Sequence, residues 1–189
     1  TLALAGEMAD GVIFNVLTSE AAMRNAIPLA RQAAAAAGRD PGALAFVLRT
    51  EVVLTDDDAS KGKALSRAKS IFALLAGFPG MSRLYQVDGF DTEAIVADVC
   101  AAMRTEQVLA SGGGFPALRR IGDLAAARAA IPDDYIRALS LAGSAKGLGP
   151  RLAELRELGV TCVSVTPPAE AGSVPAWQQT LAALRELAG

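Results

Sequence analysis

The chain has 189 residues, of which 52% are hydrophobic and 20% are charged, and its formal net charge is −2. This length suits one domain, and the apolar content is sufficient for a buried core, so a disordered chain is excluded. The balanced charge provides no basic surface for nucleic acid, and no run of 18 apolar residues predicts a membrane-spanning helix.

The first part of the chain alternates helices with apolar runs. Apolar residues at helical spacing predict an opening helix that Gly11 ends, and the run after it is typical of a strand covered on both faces. The elements predicted next are a strand at residues 12–14, a helix at 21–38 with a kink at Pro28, a strand at 44–53 and a helix at 59–76.

The rest of the sequence is mostly helical. Residues 77–131 combine helical segments, among them a helix over 92–110, with Gly- and Pro-rich turns, and we interpret them as a structured helical insertion between strands. A short helix at 132–143 follows, then an amphipathic helix that ends at Gly159, a third strand at 160–165 and a last helix at 174–189.

Strands that are separated by helices favour parallel pairing with right-handed crossovers. We therefore predict a single α/β domain over residues 1–189, in which parallel strands form part of a TIM (β/α)8 barrel. A complete barrel of this type needs ~250 residues, so three strands and their helices supply a little under half of one.

Four segments of the chain resemble, in order, the C-terminal half of the luciferase-like monooxygenases. "LALAGEMADGVIFN" resembles the family's AGExADGV segment, and "AAAAAGRDPGALAF" its AAGRDP turn before a strand. "VVLTDDDASKGKALSRAK" resembles its acidic turn before a long helix, and "IPDDYIRALSLAGSAKGLGPRLAELRELGVTCVSVTPP" its late IPDELVDxxxLxG segment, helix and final strand. No single motif is specific, but their order and spacing cover almost the whole chain. The resemblance implies the C-terminal half of the barrel.

The same resemblance implies a cofactor and a reaction class. The "IPDD" and "ALSLAGSA" segments are most similar to oxidoreductases that use the deazaflavin coenzyme F-420, and relatives that use FMN share the scaffold, so FMN is the alternative cofactor. The implied reaction is hydride transfer between this coenzyme and an unidentified small-molecule organic substrate. In the family a phosphate-binding Gly-Pro loop precedes the position of Thr1, which makes Thr1 the candidate cofactor-binding residue. We expect the chain to be the C-terminal portion of such a protein and to be inactive alone.

Other interpretations remain open. One is a non-catalytic, flavin-binding or dimerising shortened barrel, for which the non-fluorescent flavoproteins of luminous bacteria are a precedent. Because unpaired strand edges favour association, the expected partner is a second copy of the chain or the missing N-terminal half. A third interpretation is an unrelated α/β domain, in which the three strands would not lie adjacent and parallel.

Active sites of these barrels lie at the C-terminal ends of the strands. Asn15 and Thr18 follow the first predicted strand, Arg49 interrupts the second and Thr166 ends the third, so these four are the candidate substrate-binding residues. By resemblance, Asn15 aligns with a substrate-facing position in a deazaflavin-dependent sugar-phosphate dehydrogenase, and Thr18 replaces a lysine, which argues against a phosphosugar substrate. The structural alternatives are a turn for Asn15 and Thr166, a helix cap for Thr18, and for Arg49 an exposed position or an ion pair with Glu51, which shares its face.

The remaining polar residues give no catalytic group and no metal site. Histidine is absent, which excludes His-based triads and HExxH metal sites from this chain. Cys100 and Cys162 lack a metal-type spacing and, without a visible secretory signal, are interpreted as reduced core residues of a cytoplasmic protein. Asp133 and Asp134 follow a proline at a predicted helix start, where the helix dipole accounts for both carboxylates.

Overall fold

A computed structural model describes residues 1–54, 58–143 and 145–166, with short pieces at 178, 181–182 and 184–186. In these residues the strands are β1 (Gly11–Phe14), β2 (Ala45–Leu54), β3 (Leu141–Gly143) and β4 (Cys162–Thr166). The helices are α1 (Leu2–Met8), α2 (Glu20–Ala36), α3 (Asp58–Leu75), α4 (Thr92–Met103), α5 (Thr105–Ala110), α6 (Phe115–Ile121), α7 (Leu124–Ala129), α8 (Asp133–Leu139) and α9 (Ala145–Leu158). Most of the last predicted helix lies outside the described residues.

All strand pairings within the described residues are parallel, and β2 is the central strand. Strand β1 pairs with β2 from Gly11 opposite Ala45 onwards, whereas β4 pairs with the stretch that begins at Val47. Because β1 and β4 both pair with Val47 and Leu48, they lie on opposite edges of β2. The prediction of three adjacent parallel strands is therefore confirmed, and the strands and helices alternate as in an α/β fold.

The strand β3 was not predicted from the sequence. The helix that we expected over 132–143 is α8 alone and ends at Leu139, after which Ser140 is extended and Leu141 enters a strand. Strand β3 pairs with Val52–Leu54 at the end of β2. A three-residue strand is too short to leave a periodic pattern, so only this pairing with residues about 90 positions away defines it.

Two further boundaries differ from the prediction for local reasons. Gly11 does not end the first helix but begins β1, where an added Cβ would collide with the carbonyl of Ala45. The helix predicted through residues 92–110 is divided at Arg104, which has a φ of 52° in the left-handed region. In contrast, Pro28 lies inside α2 and does not divide it.

Among the described residues, helices cover one face of the sheet. Phe46, Leu48 and Val52 of β2 are at most 5% exposed and pack with Ile27 of α2 and Leu155 of α9. Side chains on the opposite face are open: the exposed positions there are Ile13, Ala45, Arg49, Cys162 and Ser164. Cys162 is thus an exposed free thiol rather than a core residue, because its position in β4 faces away from the helices.

Helix α1 is held against α2 beside the start of β1. Gly6 lies so close to α2 that an added Cβ would meet the carbonyl oxygen of Ala30. The Arg39 guanidinium donates from Nη1 to the Gly6 carbonyl at 2.6 Å and from Nη2 to the Ala9 carbonyl at 2.8 Å. These hydrogen bonds satisfy carbonyls at the end of α1 and fix the point at which the chain enters the sheet.

The helices of the predicted insertion share a second core with α3 and α8. Phe72 of α3 contacts the rings of Tyr85 and Tyr135, with centroids 4.9 and 5.5 Å away. The Tyr135 hydroxyl donates to the carbonyl of Tyr85 at 2.8 Å. At the rim of this core, Lys69 and Asp133 form an ion pair at 2.6 Å, which lowers the pKa of the Asp133 carboxyl through the Lys69 hydrogen bond.

None of the helices in the described ranges combines the length and the apolar character that crossing a membrane demands.

Candidate functional site

The open face carries a row of polar side chains near the ends of β1 and β4. Arg49 lies directly opposite Ser164 in the pairing of β2 with β4. Asn15 follows Phe14, the partner of Leu48, and therefore stands at the level of Arg49 on the other side. All three residues are exposed on the face that the helices leave open. We call Asn15, Arg49 and Ser164 the polar row.

A second row lies one step nearer the amino ends of the strands. Ile13, Val47 and Cys162 occupy successive strands at one level, two residues before the members of the polar row. Ile13 is 72% exposed although it is a large aliphatic side chain in a strand. We call these three residues the apolar row. The open face therefore offers an apolar surface next to a line of hydrogen-bond donors.

The polar row is centred on the guanidinium of Arg49. Among the described residues, no hydrogen bond or ion pair involves this side chain, whereas Arg39, Arg137 and Arg151 are all bonded. The predicted partner, Glu51, has a side chain outside the described part of the chain. Within the described residues the Arg49 guanidinium is therefore available to an oxyanion, which its planar fork binds in two places.

The structure places Thr18 apart from the polar row. Thr18 is 5% exposed, and its hydroxyl donates to the Asn15 carbonyl at 2.8 Å, inside the turn that leaves β1. Leu17 in this turn has a φ of 64°, and the helix cap is Ser19, whose hydroxyl accepts from the Ala22 amide at 3.1 Å. Thr18 thus shapes the turn that presents Asn15, on the helix-covered side of the sheet.

Thr1 and Thr166 lie at the margins of the described structure. Thr1 is exposed at the start of α1, and its side chain makes no capping hydrogen bond. Thr166 is the last residue of β4 and pairs with Glu51, and its side chain lies outside the described part. Its register position puts it two residues beyond Ser164, at the carboxyl end of the sheet. The roles assigned to Thr1 and Thr166 stay predictions.

A cleft that the sequence did not indicate lies beside the start of α2. Its volume is about 190 Å³, and it is bounded by Arg24, Gln86, Asp88 and Arg151 among others. Arg151 of α9 contacts Glu20 at 2.7 Å and donates to the Ala138 carbonyl at 3.1 Å. Since Glu20 and Arg151 are far apart in sequence, no local motif could have predicted their contact.

Behind this ion pair lies a small polar cavity of about 10 Å³. Thr18, Thr50 and Ser140 contribute hydroxyl-bearing side chains to its lining, and the Ser140 hydroxyl is buried without a hydrogen-bond partner. The volume corresponds to that of a single water molecule. The cavity is too small for a substrate, and it lies beside Thr18 in the turn after β1.

Titratable groups do not form an acid–base site in the described part. Burial raises the pKa of Tyr135 to about 12, and burial together with the charge of Tyr135 raises the pKa of Tyr85 above its usual range. Both are fully buried in the helical core, so they stay neutral and structural. A search of the described residues for three or more His, Cys, Asp or Glu side chains that could hold a metal found none.

The chain is similar to a known protein family and to solved structures. The family described as luciferase-like monooxygenase matches residues 1–162. A coenzyme F-420-dependent tetrahydromethanopterin reductase from Methanopyrus kandleri is 26% identical, with a TM-score of 0.60 over 89% of this chain and 42% of its own. An F-420-dependent secondary alcohol dehydrogenase, in complex with an F-420-acetone adduct, is 14% identical, with a TM-score of 0.53 over 93% of this chain and 45% of its own. The chain thus spans less than half the length of either structure. No curated protein matches the chain.

Proposed function

The chain belongs to the luciferase-like monooxygenase family, and from this we propose that it supplies the C-terminal strands of an F-420-dependent oxidoreductase barrel. The observation that carries the proposal is the 26% identity to the F-420-dependent reductase over 89% of this chain. Its reaction would be hydride transfer between the deazaflavin and a small organic substrate, with FMN as the alternative cofactor. Family membership by itself does not define the substrate.

The open face fits a flat cofactor ring with polar edges. In the apolar row, Ile13 and Val47 provide a surface on which a ring can lie, and Ile13 is 72% exposed. The polar row supplies the Asn15 amide, the Arg49 guanidinium and the Ser164 hydroxyl for substrate oxygens. When bound, the deazaflavin supplies the hydride chemistry, and these residues bind and orient. The start of α1, next to Thr1, is where we place the cofactor phosphate.

The second half of the site must come from other strands. A TIM barrel closes with eight parallel strands, and four parallel strands are found in the described residues. The exposed Ile13 and the outer edge of β1 are then covered by further β/α units. We propose that these belong to an N-terminal half of the same barrel and that this chain alone has no turnover.

Binding titrations test the cofactor assignment. The purified chain is titrated with F-420 and, separately, with FMN while cofactor fluorescence and absorbance are followed. We expect weak saturable binding of F-420, because the apolar row and the start of α1 are present, and no oxidation of reduced F-420 by added carbonyl compounds. Saturable binding of FMN with none of F-420 would overturn the cofactor assignment.

A second candidate function is a flavin-binding protein without catalysis that associates through its open face. The exposure of Ile13 favours it, because an aliphatic side chain on an open sheet face with an unpaired neighbouring edge promotes association. Light scattering, which measures the mass of the chain in solution with and without FMN, distinguishes the two candidate functions. A stable dimer that carries FMN and transfers no hydride supports this second function, and a monomer contradicts it.

A further inference from the structure

We propose that Arg49, flanked by Asn15 and Ser164, binds an anionic group of the substrate, a carboxylate or a phosphate. This inference rests on the proposed function, because it assigns the substrate class for the same open face. It adds Ser164, which the sequence did not single out, and gives Arg49 a defined ligand. The juxtaposition that carries it is one cation with a neutral donor on each side: Ser164 is paired with Arg49, and Asn15 directly follows Phe14, which is paired with Leu48.

The spacing of the row suits an oxyanion. Neighbouring strands lie about 4.8 Å apart, so Ser164 of β4 stands about 4.8 Å from Arg49 on one side, and Asn15 follows the end of β1 on the other. A guanidinium donates two parallel hydrogen bonds to a carboxylate or phosphate. The Asn15 amide and the Ser164 hydroxyl flank the guanidinium on either side and are placed to donate to the same group.

Position in the sheet separates Arg49 from an ordinary surface arginine. Arg49 is on the central strand, with β1 on one edge of β2 and β4 on the other. The strand alternation fixes it on the open face, because Leu48 and Thr50 on either side are buried against the helices. An arginine that points into a barrel needs a counter-charge once further strands enclose it. Among the described side chains of this face there is no carboxylate, so the counter-charge we assign is that of the ligand.

The cofactor phosphate is a less suitable occupant of the same site. Family resemblance places that phosphate at the start of α1, next to Thr1, whereas the polar row lies across the ends of the strands. The substrate is therefore the source of the anion that we favour. The experiment separates the two sources.

The test is an NMR titration of the chain with sodium acetate and, separately, with inorganic phosphate, following the backbone amide signals of residues 15, 49 and 164, which the native chain and all the variants share. We expect saturable shifts, with affinity about tenfold weaker in Arg49→Gln because a charge-assisted pair is lost. Ser164→Ala should weaken binding about threefold, and Arg49→Lys should retain part of it. The matched control is Arg120→Gln, which removes an exposed arginine of α6 far from the row and should leave the affinity unchanged.

Three results overturn the proposal. The first is an absence of saturable acetate or phosphate binding in the native chain. If binding then appears in Glu51→Gln, Glu51 is the partner of Arg49, and the proposal is equally overturned. The second is equal weakening by Arg49→Gln and Arg120→Gln. The third is loss of F-420 binding in Arg49→Gln in parallel with phosphate, which would assign the row to the cofactor. Failure of the native chain to bind F-420 contradicts the proposed function instead, since acetate and phosphate are titrated without it.

Discussion

The helical region, α3 to α8, and the sheet differ in how completely each buries its own apolar side chains. Phe72, Tyr85, Met103 and Tyr135 of the helical region have no exposed surface, because helices surround them on all sides. The described helices cover one face of the sheet, and Ile13 on the other face is 72% exposed. Stability is therefore concentrated in the helices and the covered face, whereas the open face is left for binding.

The largest effect is expected at the centre of the helical region. Phe72→Ala removes a buried ring that contacts Tyr85 and Tyr135, and it should lower the free energy of unfolding by about 3–5 kcal/mol. Urea denaturation measures this loss in the free energy of unfolding. The control is Phe115→Ala, which removes a ring that is 45% exposed and should cost less than about half as much. Equal losses would mean that the helical region has no closed core.

High pH should weaken the same region selectively. Burial raises the pKa of Tyr135 to about 12 and raises that of Tyr85 further, so the folded state favours the neutral phenols. The contribution of these tyrosines to the free energy of unfolding is therefore constant below the unfolded tyrosine pKa of about 10. Above that pH it falls, by up to about 1.4 kcal/mol per pH unit for each tyrosine. Urea midpoints between about pH 9 and about pH 11 should fall less steeply in Tyr135→Phe than in the native chain. Phenolate absorbance that develops near pH 10 without unfolding would contradict this expectation.

A smaller effect is expected where the covered face meets the turn after β1. Arg151→Ala removes the 2.7 Å contact with Glu20 and the hydrogen bond to the Ala138 carbonyl. Because both side chains of the ion pair are partly exposed, the loss should be about 1 kcal/mol, measured by thermal or urea unfolding. Arg156→Ala in the same helix is the matched control, since Arg156 is exposed, and it should change stability by less than about 0.5 kcal/mol. A loss as large in Arg156→Ala would show that the effect belongs to the helix and not to the contact.

The smallest effect is expected on the open face. Ile13→Ala should change the free energy of unfolding by less than about 0.5 kcal/mol, because the side chain is already in water. The same substitution at Ile27, which is 2% exposed against the covered face, should cost about 2–5 kcal/mol. Urea denaturation of the two variants compares the faces directly. A large loss at Ile13 would show that the open face is covered in solution.

Much of the fold could be predicted from local pattern. The apolar runs placed β1, β2 and β4, and helical spacing placed α1, α2, α3 and α9 to within a few residues. The division of residues 92–110 at Arg104 was missed, because nothing in that stretch except the tertiary contacts requires a left-handed residue. Strand β3 was missed because it exists through its pairing with Val52–Leu54.

The candidate site was predictable as a set of strand-end residues but not as an arrangement. Asn15 and Arg49 were named from their places in the strands, and the register brings them to one level. Ser164 gave no signal, because a serine in a short strand is unremarkable until the pairing places it opposite Arg49. Asn15 and Thr18 both follow the first predicted strand, yet the turn through Leu17 directs the Thr18 side chain to the other side of the sheet.

By itself the sequence determined the longer strands and helices and their parallel order, because helical spacing, apolar runs and turn residues act within windows of a few positions. The family followed from the resemblance of four segments. The tertiary structure alone decided which face stays open, which side chains share a level and where Arg151 meets Glu20. These features depend on register and packing between segments distant in the chain. A shift of one residue in strand register would turn Arg49 toward the helices and Leu48 toward the open face.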